Sequence, residues 1–229
     1  MLSEDRLLAA KQRMLDQHLR ARGITDERVL SAMERVPREE FVPAPLQPHA
    51  YDDRALPVEF GQTISQPYTV AYMAQAARLQ GHERVLEIGT GTGYGAAVLS
   101  QLAGEVHTIE RWPDLCDSAT QRLERLAFRN VVTKLGDGSL GWREQAPFEV
   151  IIATAAAEQI PIAFRDQLSD GGRLIIPIGA PGKGQTMFRC TMRNGRLDEE
   201  RLGLFSFVPL VCQIPNPQKP FDGSAIEPV

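Results

Sequence analysis

The chain has 229 residues, of which 43% are hydrophobic, and a formal net charge of −4 at pH 7. This composition predicts one domain with its own core. The acidic balance argues against a sequence-independent nucleic-acid binder, which would normally be basic. Three widely separated cysteines and four scattered histidines lack metal-site spacing, so no metal is expected. A charged N-terminus and the lack of an apolar run of membrane-spanning length predict a cytoplasmic protein that does not bind membranes.

The N-terminal part of the chain is predicted to be helical. Residues 4–22 are rich in charge and place Leu8, Leu15 and Leu19 roughly on one face of a first helix. Thr25 is the predicted N-cap of a second helix, because two acidic residues follow it. The apolar residues of that second helix recur at i, i+3, i+4 and i+7 until a proline ends it.

Residues 37–67 are rich in proline, and aromatic residues recur within them at Phe41, Tyr51 and Phe60. A flexible linker would normally contain few such side chains, because it has no core to bury them in. The segment is therefore predicted to be ordered but irregular, and to pack through its aromatic residues.

A helix with one apolar face is predicted directly after the stretch Gly61-Gln-Thr-Ile-Ser-Gln-Pro-Tyr68. Ser65 stands where an N-cap belongs, with Pro67 in the first turn. Ser65 could simply cap that helix, or it could mark a place where backbone N–H groups favour a nearby anion. The two interpretations are compatible, and the pattern leaves both open.

The most informative stretch runs from Val85 to Gly95 and reads Val-Leu-Glu-Ile-Gly-Thr-Gly-Thr-Gly-Tyr-Gly. It predicts a buried strand, a tight turn and a helix, because an apolar run ends in alternating glycines and continues into a helical stretch. Glycine permits such a turn and lets a ligand approach the backbone closely. The N–H groups at the helix start face whatever lies above the strand, so the pattern indicates a cofactor loop.

Two cofactors compete for that loop. Gly91-x-Gly93-x-x-Ala96 fits the dinucleotide fingerprint, with Glu110 at about the ~20-residue distance expected of a ribose-binding acid. An adenosine-containing methyl donor would use the same acid. Glu87 separates the two, because a carboxylate beside the first glycine suits an ammonium and a sulfonium but suits a pyrophosphate badly. S-adenosylmethionine is therefore the predicted cofactor, and a nicotinamide oxidoreductase is the alternative.

From residue 84 onward, strand-like and helix-like stretches alternate, which is typical of βαβ units around a parallel sheet. The predicted strands are 84–88, 105–109, 131–135, 149–153 and 173–177. The predicted helices are 94–102, 113–127 and 161–168. The expected fold class is α/β, with a three-layer, doubly wound, mostly parallel sheet of the Rossmann-like methyltransferase type behind an N-terminal helical segment.

The end of the chain predicts a closing antiparallel hairpin. Strands are expected at 186–192 and 202–208, and the Arg-Asn-Gly-Arg stretch at 193–196 is a strong two-residue hairpin signal. The charged residues 198–201 are interpreted as a lengthened connection. Such a hairpin fits a methyltransferase sheet better than the all-parallel dinucleotide fold. Residues 213–229 hold four prolines and are predicted to form a loosely held tail.

A single domain is expected, with N-terminal helices and a substrate-side segment at 1–80 and a cofactor-binding core at 81–212. Parallel sheets bind ligands beyond the carboxyl ends of their strands, so Glu87, Glu110 and Asp137 should meet in one crevice. Asp137 lies between two glycines and could accept a hydrogen bond from an adenine amino group, or could close a simple turn.

A serine hydrolase is disfavoured. Ser65 has no flanking glycine, and Asp137 occupies the first glycine position of a nucleophile elbow in the stretch 137–141. No histidine is obviously paired with either candidate serine, Ser65 or Ser139.

Over nearly its full length the chain resembles the protein-L-isoaspartate O-methyltransferase family. The stretch GQTISQP at 61–67 is specific to that family, whereas the glycine loop belongs to many methyltransferases. The other matching stretches are VLSAMERVPREEFVP at 29–43, AYDDRALP at 50–57, VLEIGTGTGY at 85–94, GDGSLGW at 136–142, residues 147–157 and FVPL at 207–210. Gly95 departs from the family pattern, where a larger residue is common, and so does Ser206, where many bacterial members have arginine.

The resemblance implies methyl transfer from S-adenosylmethionine to the free carboxyl of an L-isoaspartyl residue in a damaged protein or peptide. The ester then closes to a succinimide, whose hydrolysis returns some normal aspartyl residue. Ser65 matches the active-site serine of the family. The implied cofactor contacts are Glu87, Gly89, Thr90, Gly91, Thr92, Gly93, Tyr94, Glu110, Arg111, Gly136, Asp137 and Gly138. The residues implied to border the peptide are Thr63, Ile64, Thr154, Ala155, Val208, Pro209 and Leu210.

A monomer that binds isoaspartyl peptides, and no nucleic acid, membrane or metal, is expected. Two rival functions share the same fold: a methyltransferase acting on a small molecule or RNA, and an inactive cofactor-binding module. The acidic composition and the GQTISQP stretch weigh against the first, and an intact Ser65 weighs against the second.

Overall fold

The computed structural model describes residues 4–180 and 183–211, and the tail predicted at 213–229 lies outside these ranges. The α-helices are α1 Glu4–Arg13, α2 Glu27–Arg35, α3 Pro67–Ala77, α4 Tyr94–Ser100, α5 Pro113–Arg125 and α6 Ile162–Gln167. The strands are β1 Leu56–Pro57, β2 Thr63–Ile64, β3 Arg84–Ile88, β4 Glu105–Glu110, β5 Val131–Leu135, β6 Phe148–Ala153, β7 Leu168–Ile178, β8 Gln185–Arg193 and β9 Arg196–Phe205.

Seven strands form one sheet in the order β5-β4-β3-β6-β7-β8-β9. The pairs from β5 to β7 are parallel, and the pairs β7–β8 and β8–β9 are antiparallel. Apolar clusters cover both faces of this sheet. The predicted fold class is therefore confirmed. Along the described residues no helix is long and apolar enough to cross a bilayer.

The first helix differs from its prediction. Helix α1 continues into a π-helical turn at Met14–Leu19 and a 3₁₀ turn at Arg20–Arg22. Leu15 and Leu19 are buried, but Leu8 is 66% exposed. A π-helical turn takes more residues than an α-helical turn, so it rotates the following side chains away from the face that an unbroken helix would give. The prediction that Leu8 shares one face with Leu15 and Leu19 was wrong.

Helix α2 is capped by Asp26 rather than by Thr25. The Asp26 carboxylate accepts hydrogen bonds from the N–H groups of Arg28 and Val29, whereas the Thr25 N–H donates to Gln75 Oε1 at 2.8 Å. The helix ends at Arg35, just before the proline expected to stop it. The cap shifted by one residue because capping depends on backbone direction as well as on residue type.

The irregular segment at 37–67 is anchored by aromatic side chains, as predicted. Phe41 and Tyr51 are 0% and 3% exposed, while the side chain of Phe60 lies outside what the structure describes. Phe41 packs edge-on against Tyr94 of α4, with ring centroids 5.5 Å apart. These contacts hold the segment against the cofactor-binding core.

The closing hairpin turns where it was predicted, with Asn194 and Gly195 at φ 50° and 75° between β8 and β9. The second strand begins earlier than expected, however. Arg196 already pairs with Arg193, and Asp198 pairs with Thr191. The charged residues 198–201 are therefore part of β9, not a lengthened connection. Charged side chains are common on an edge strand, because they discourage pairing with another chain.

Candidate active site

The site lies where the strand order changes direction. Strands β3 and β6 are neighbours although β4 and β5 come between them in the chain. Such a switch point leaves a crevice at the carboxyl ends of the two strands. The glycine loop follows β3, and Thr154 follows β6. The Thr154 N–H and its hydroxyl both donate to the Ile88 carbonyl at 2.9 Å, and the hydroxyl also lies 2.9 Å from the Gly89 carbonyl.

A cavity of about 980 Å³ opens at this crevice. It is large enough for a nucleoside cofactor and part of a second ligand, since ligand pockets commonly span about 300–1,000 Å³. It brings together most of the residues predicted from the sequence, namely Thr63, Ile64, Ser65, Glu87, Gly89, Thr90, Gly91, Thr92, Tyr94, Glu110, Arg111, Gly138, Thr154, Ala155, Val208, Pro209 and Leu210. Gly93, Gly136 and Asp137 do not line it.

Asp137 closes its own turn. Its carboxylate accepts hydrogen bonds from the Ser139 N–H at 2.9 Å and from the Ser139 hydroxyl at 2.7 Å. Gly93, at φ 90°, precedes helix α4 and packs near Leu123 rather than at the cavity. Their cofactor contacts remain predictions. In both cases the structure supplies a local role, a turn and a helix start.

Gly89 is the tightest point of the loop. Its φ of 96° lies in the left-handed region, and an added Cβ would fall well inside contact distance of Thr154 Oγ1. Glycine is therefore required both by the backbone conformation and by the close approach of the segment that follows β6. The two halves of the crevice meet at this residue.

Glu87 is buried at the base of the cavity and is 1% exposed. One carboxylate oxygen accepts a hydrogen bond from Thr108 Oγ1 at 2.7 Å, and Thr108 in turn lies 2.7 Å from the Thr90 hydroxyl. Burial raises the pKa of Glu87 to about 8, with Glu110 adding to the rise and Thr108 opposing it. A buried carboxylate with one such donor favours a cationic ligand group.

The other carboxylate oxygen of Glu87 lies against Gly95. A Cβ at Gly95 would collide with Glu87 Oε1, so the departure of this residue from the family pattern has a structural correlate. The missing side chain provides the space in which the carboxylate lies.

Glu110 shapes the opposite edge of the cavity. Its carboxylate accepts hydrogen bonds from the N–H groups of Gly91, Arg111 and Trp112 at 2.8, 2.8 and 3.0 Å. Burial raises the pKa of Glu110, while the three backbone donors and Arg111 oppose that rise. Glu110 therefore fixes the glycine loop and is itself held by three backbone donors in the cavity wall.

Ser65 lies in the cavity wall but does not cap helix α3. The N-cap is Gln66, and Pro67 is the first helical residue. Ser65 is half-buried, and its carbonyl accepts a hydrogen bond from the Arg38 guanidinium at 2.7 Å. The capping interpretation of Ser65 was wrong. With that role excluded, Ser65 remains a residue of the cavity wall.

The wall opposite Ser65 comes from the chain after β9. The Ala156 N–H donates to the Val208 carbonyl at 2.8 Å, and the Leu210 N–H donates to the Ala156 carbonyl at 2.7 Å. The Phe207 N–H donates to Gln185 Oε1 at 2.9 Å. These bonds place the predicted substrate residues Ala155, Val208 and Leu210 on one side of the cavity.

An aromatic wall was missed by the sequence reasoning. Tyr68, Tyr72, Phe205 and Phe207 all line the cavity, and neighbouring rings in this series lie 5.1–6.4 Å apart between centroids. The Tyr72 hydroxyl donates to the Leu202 carbonyl at 2.8 Å, where the β8–β9 register shifts. The i, i+4 spacing of the two tyrosines and the i, i+2 spacing of the two phenylalanines were the available signals.

An ion pair at the cavity wall was also missed. Arg22 Nη1 lies 2.6 Å from an Asp53 carboxylate oxygen, and the Arg22 guanidinium stacks 3.7 Å above the centre of the Tyr68 ring. Arg22 comes from the N-terminal helical segment, so parts of the chain that lie far apart in sequence contribute to one cavity. No short-range sequence pattern connects them.

The arrangement has two chemically different ends. The end beside the glycine loop carries the buried acids Glu87 and Glu110, which favour a cationic, hydroxyl-rich ligand. The other end carries Ser65, the aromatic wall and backbone groups. Across the described ranges no group of three histidine, cysteine, aspartate or glutamate side chains is placed to hold a metal ion.

Comparison with known proteins identifies relatives over most of the chain. The family model described as protein-L-isoaspartate (D-aspartate) O-methyltransferase matches residues 9–214. A protein-L-isoaspartate O-methyltransferase from Protochlamydia amoebophila is 50% identical over 199 residues, which is 86% of this chain and 95% of that protein. One from Parvibaculum lavamentivorans is 52% identical over 196 residues, covering 84% and 88%.

Solved structures agree. A protein-L-isoaspartate O-methyltransferase structure that is 31% identical superimposes with a TM-score of 0.80, covering 89% of this chain and 67% of that chain. A Plasmodium falciparum structure assigned to the same enzyme, in complex with S-adenosyl-L-homocysteine, is 25% identical with a TM-score of 0.77. The match covers 87% of this chain and 97% of that chain.

Proposed function

The chain belongs to the protein-L-isoaspartate (D-aspartate) O-methyltransferase family, and from this we propose what its cavity does. It transfers a methyl group from S-adenosylmethionine to the free carboxyl of L-isoaspartyl residues in damaged proteins and peptides, which initiates repair through a succinimide. The single observation that carries the proposal is the cavity itself. It places Ser65, from the family-specific stretch, in one space with the glycine loop.

The residues beside the glycine loop fit S-adenosylmethionine. Glu87 offers a buried carboxylate for a cationic group. Gly91, at φ 53°, has no heavy atom within 4 Å of the position of an added Cβ, so a ligand can approach the backbone there. Glu110, held by three backbone donors, lies where a carboxylate can accept from ribose hydroxyls. A cationic group beside Glu87 would favour its ionised form and oppose the rise of its pKa, whereas a pyrophosphate would keep it protonated.

The substrate supplies its own nucleophile. A carboxyl group has a pKa of about 4, so at pH 7 roughly a thousandfold excess is ionised. No general base is needed. This agrees with the sequence, in which no histidine is obviously paired with either candidate serine. When bound, S-adenosylmethionine supplies a methyl group on a positively charged sulfur.

The chain's task is to position the carboxylate and exclude water from it. Positioning alone can lower a reaction barrier by up to about 7–11 kcal/mol. We infer that the Ser65 hydroxyl donates a hydrogen bond that orients the carboxylate. The aromatic wall and the segment 207–210 would cover the peptide on the other side and limit access of water.

The decisive experiment compares two peptides that differ only in one linkage. The purified chain is incubated with labelled S-adenosylmethionine and either an isoaspartyl peptide or its aspartyl twin. Methyl transfer to the isoaspartyl peptide alone is the expected result. Transfer to neither peptide, or equally to both, would contradict the proposal. Calorimetry with S-adenosylhomocysteine and with NAD tests the cofactor separately, and NAD binding would favour the oxidoreductase alternative.

Two further properties belong to the same proposal. We infer a cytoplasmic monomer. The cytoplasmic compartment is supported by the two free cysteines among the described residues, Cys116 and Cys190, both buried. A reducing compartment keeps such thiols unpaired. Light scattering on a size-exclusion column measures the oligomeric state, and a dimer at micromolar concentration would contradict the monomer. Cell fractionation followed by detection of the chain measures the compartment.

A further inference from the structure

Arg38 is a charged residue in the centre of the molecule. It is 0% exposed. Its Nε–H donates to the Ala50 carbonyl and its Nη2–H donates to the Ser65 carbonyl, both at 2.7 Å. Its guanidinium carbon lies 4.7 Å from the centre of the Tyr94 ring. One side chain therefore contacts the predicted active-site residue and the first residue of the helix after the glycine loop.

Burying a guanidinium in a core is unfavourable in free energy. Removing a charge from water costs free energy that paired hydrogen bonds only partly return. Burial lowers the pKa of Arg38, while Tyr94 opposes that fall. Arg38 Nη1 has no hydrogen-bond partner in the described part of the chain. An apolar residue would fill this space but would leave the Ala50 and Ser65 carbonyls without this donor, so the guanidinium fixes the backbone as well as packing.

The role follows from the peptide group that Arg38 holds. The Ser65 carbonyl and the Gln66 N–H belong to one planar unit, so fixing the oxygen fixes the direction of the N–H. A cation on the oxygen side also polarises the unit and strengthens its N–H as a donor. Both Ser65 and Gln66 line the cavity on the substrate side.

Resting on the proposed function, we propose that Arg38 is a positioning residue for methyl transfer. It holds the Ser65–Gln66 peptide group in the orientation that receives the substrate carboxylate, and it places a fixed positive charge behind that group. Tyr94 keeps the guanidinium in place and links it to the cofactor loop. Arg38 touches neither ligand, so it acts through Ser65.

Arg28 provides a control for the loss of two hydrogen bonds to backbone carbonyls, but it is exposed whereas Arg38 is buried. It is a second arginine that donates to two backbone carbonyls, those of Leu79 and Leu102, at 2.6 and 3.3 Å. It does not line the cavity. Replacing Arg28 or Arg38 removes the same kind of interaction, but only Arg38 is joined to Ser65.

The experiment measures kcat and KM for an isoaspartyl peptide in Arg38→Met, Arg38→Lys, Arg28→Met and Arg28→Lys. Active concentrations are set by titration with S-adenosylhomocysteine. Arg38→Met is expected to lower kcat/KM about 100-fold, chiefly in kcat, because misplacement of a reacting group costs about that much. The affinity for S-adenosylhomocysteine should change less than about threefold. Arg38→Lys should recover about tenfold, since it keeps the charge and a donor.

Equal losses of kcat/KM in the Arg38 and Arg28 variants would overturn the inference, and so would a loss confined to cofactor affinity. A wild-type chain that does not methylate the isoaspartyl peptide would instead refute the proposed function.

Should the Arg38 variants not fold, nitrogen-15 NMR of the wild-type side chains decides the matter. With S-adenosylhomocysteine bound, the Arg38 guanidinium signals should shift on adding the isoaspartyl peptide, and those of Arg28 should not. Unshifted Arg38 signals at saturating peptide would overturn the inference.

Discussion

The cofactor half and the substrate half of the cavity are built in different ways. The cofactor half comes mainly from one strand–loop–helix unit, Arg84 to Ser100, with Glu110 from the adjoining strand. The substrate half is assembled from segments near residues 22, 53, 65, 155 and 208. The first is a local structure that can form wherever the sheet forms. The second exists only when distant parts of the chain meet, so damage to either half should have distinguishable effects.

The largest effect is expected where the two halves meet. In Gly89→Ala, the new Cβ would collide with Thr154 Oγ1 while the backbone stays at a φ of 96°. Strain of this kind costs about 1–3 kcal/mol, and displacing Thr154 adds the loss of its hydrogen bonds. Affinity for S-adenosylhomocysteine should fall about 100-fold, and kcat/KM should fall with it, as measured by calorimetry and peptide assay.

Gly171→Ala is the control for that variant. Gly171 has a φ of 75° with no heavy atom within 4 Å of an added Cβ, and it lies in β7 away from the cavity. It should lose about 1 kcal/mol of unfolding free energy and keep its cofactor affinity. Similar binding losses in both variants would mean that backbone strain alone, not the contact with Thr154, weakens the site.

The next effect separates the halves. Ser65→Ala removes a hydroxyl from the substrate half and should lower kcat/KM about 30-fold to 100-fold, the loss of one hydrogen bond to a charged group. Cofactor affinity should stay within about twofold, because the hydroxyl is not expected to contact the cofactor. Single-turnover assays and calorimetry measure the two quantities. Loss of cofactor binding would move Ser65 into the cofactor half.

A smaller effect is expected within the cofactor half alone. Glu110→Gln keeps the size of the side chain but removes its charge. It also replaces one accepting oxygen by an NH2 group, which cannot accept a hydrogen bond from a backbone N–H. Affinity for S-adenosylhomocysteine should fall about 15-fold, near the lower end of the range of about 1.5–3 kcal/mol for charged hydrogen bonds. The ratio of KM values for two isoaspartyl peptides should stay the same. Unchanged cofactor affinity would remove Glu110 from the site.

The smallest expected effect, taken per pH unit, is a change in the free energy of unfolding with pH. The pKa of Glu87 rises from 4.5 to about 8 on burial, so the folded state binds its proton more tightly than the unfolded state. Stability from Glu87 is therefore fully present below pH 4.5 and is lost as the pH rises towards 8. Urea unfolding without cofactor measures this. As the pH rises, the free energy of unfolding of Glu87→Gln should increase relative to that of wild type, by at most about 1.4 kcal/mol per pH unit. A wild type that gains instead would contradict this.

The same division explains what the sequence predicts well. The bounds predicted for β3 and β5 match the observed Arg84–Ile88 and Val131–Leu135, because apolar runs between turn residues report local structure directly. The glycine loop was predicted for the same reason. Gly93 and Asp137 were assigned to the cofactor site from the family resemblance; neither lines the cavity, and their cofactor contacts remain predictions.

The residues whose roles were not predicted are mostly those whose surroundings depend on contacts between distant parts of the chain. Arg38 and Arg22 carry no local pattern that reveals the carbonyl, the carboxylate or the ring each one contacts. A capping role for Ser65 was one of two open interpretations, because serine often caps helices, yet Gln66 holds that position. The charged start of β9 was taken for a loop because an exposed edge strand lacks the alternation of apolar residues that marks a half-buried one.

The order of the last strands has a consequence for how large substrates enter. Because β9 lies at the sheet edge, the chain must turn back over the carboxyl ends of the inner strands to bring Val208 beside Ala156. Residues 206–210 thus form a strap that belongs to no strand of the sheet. It is held by a few hydrogen bonds, each worth about 1 kcal/mol, one of them to the Gln185 side chain of β8, and by packing of Phe207 and Leu210. Lifting this strap would break those contacts while every strand beneath keeps its partner, so the enclosure can widen without the fold giving way.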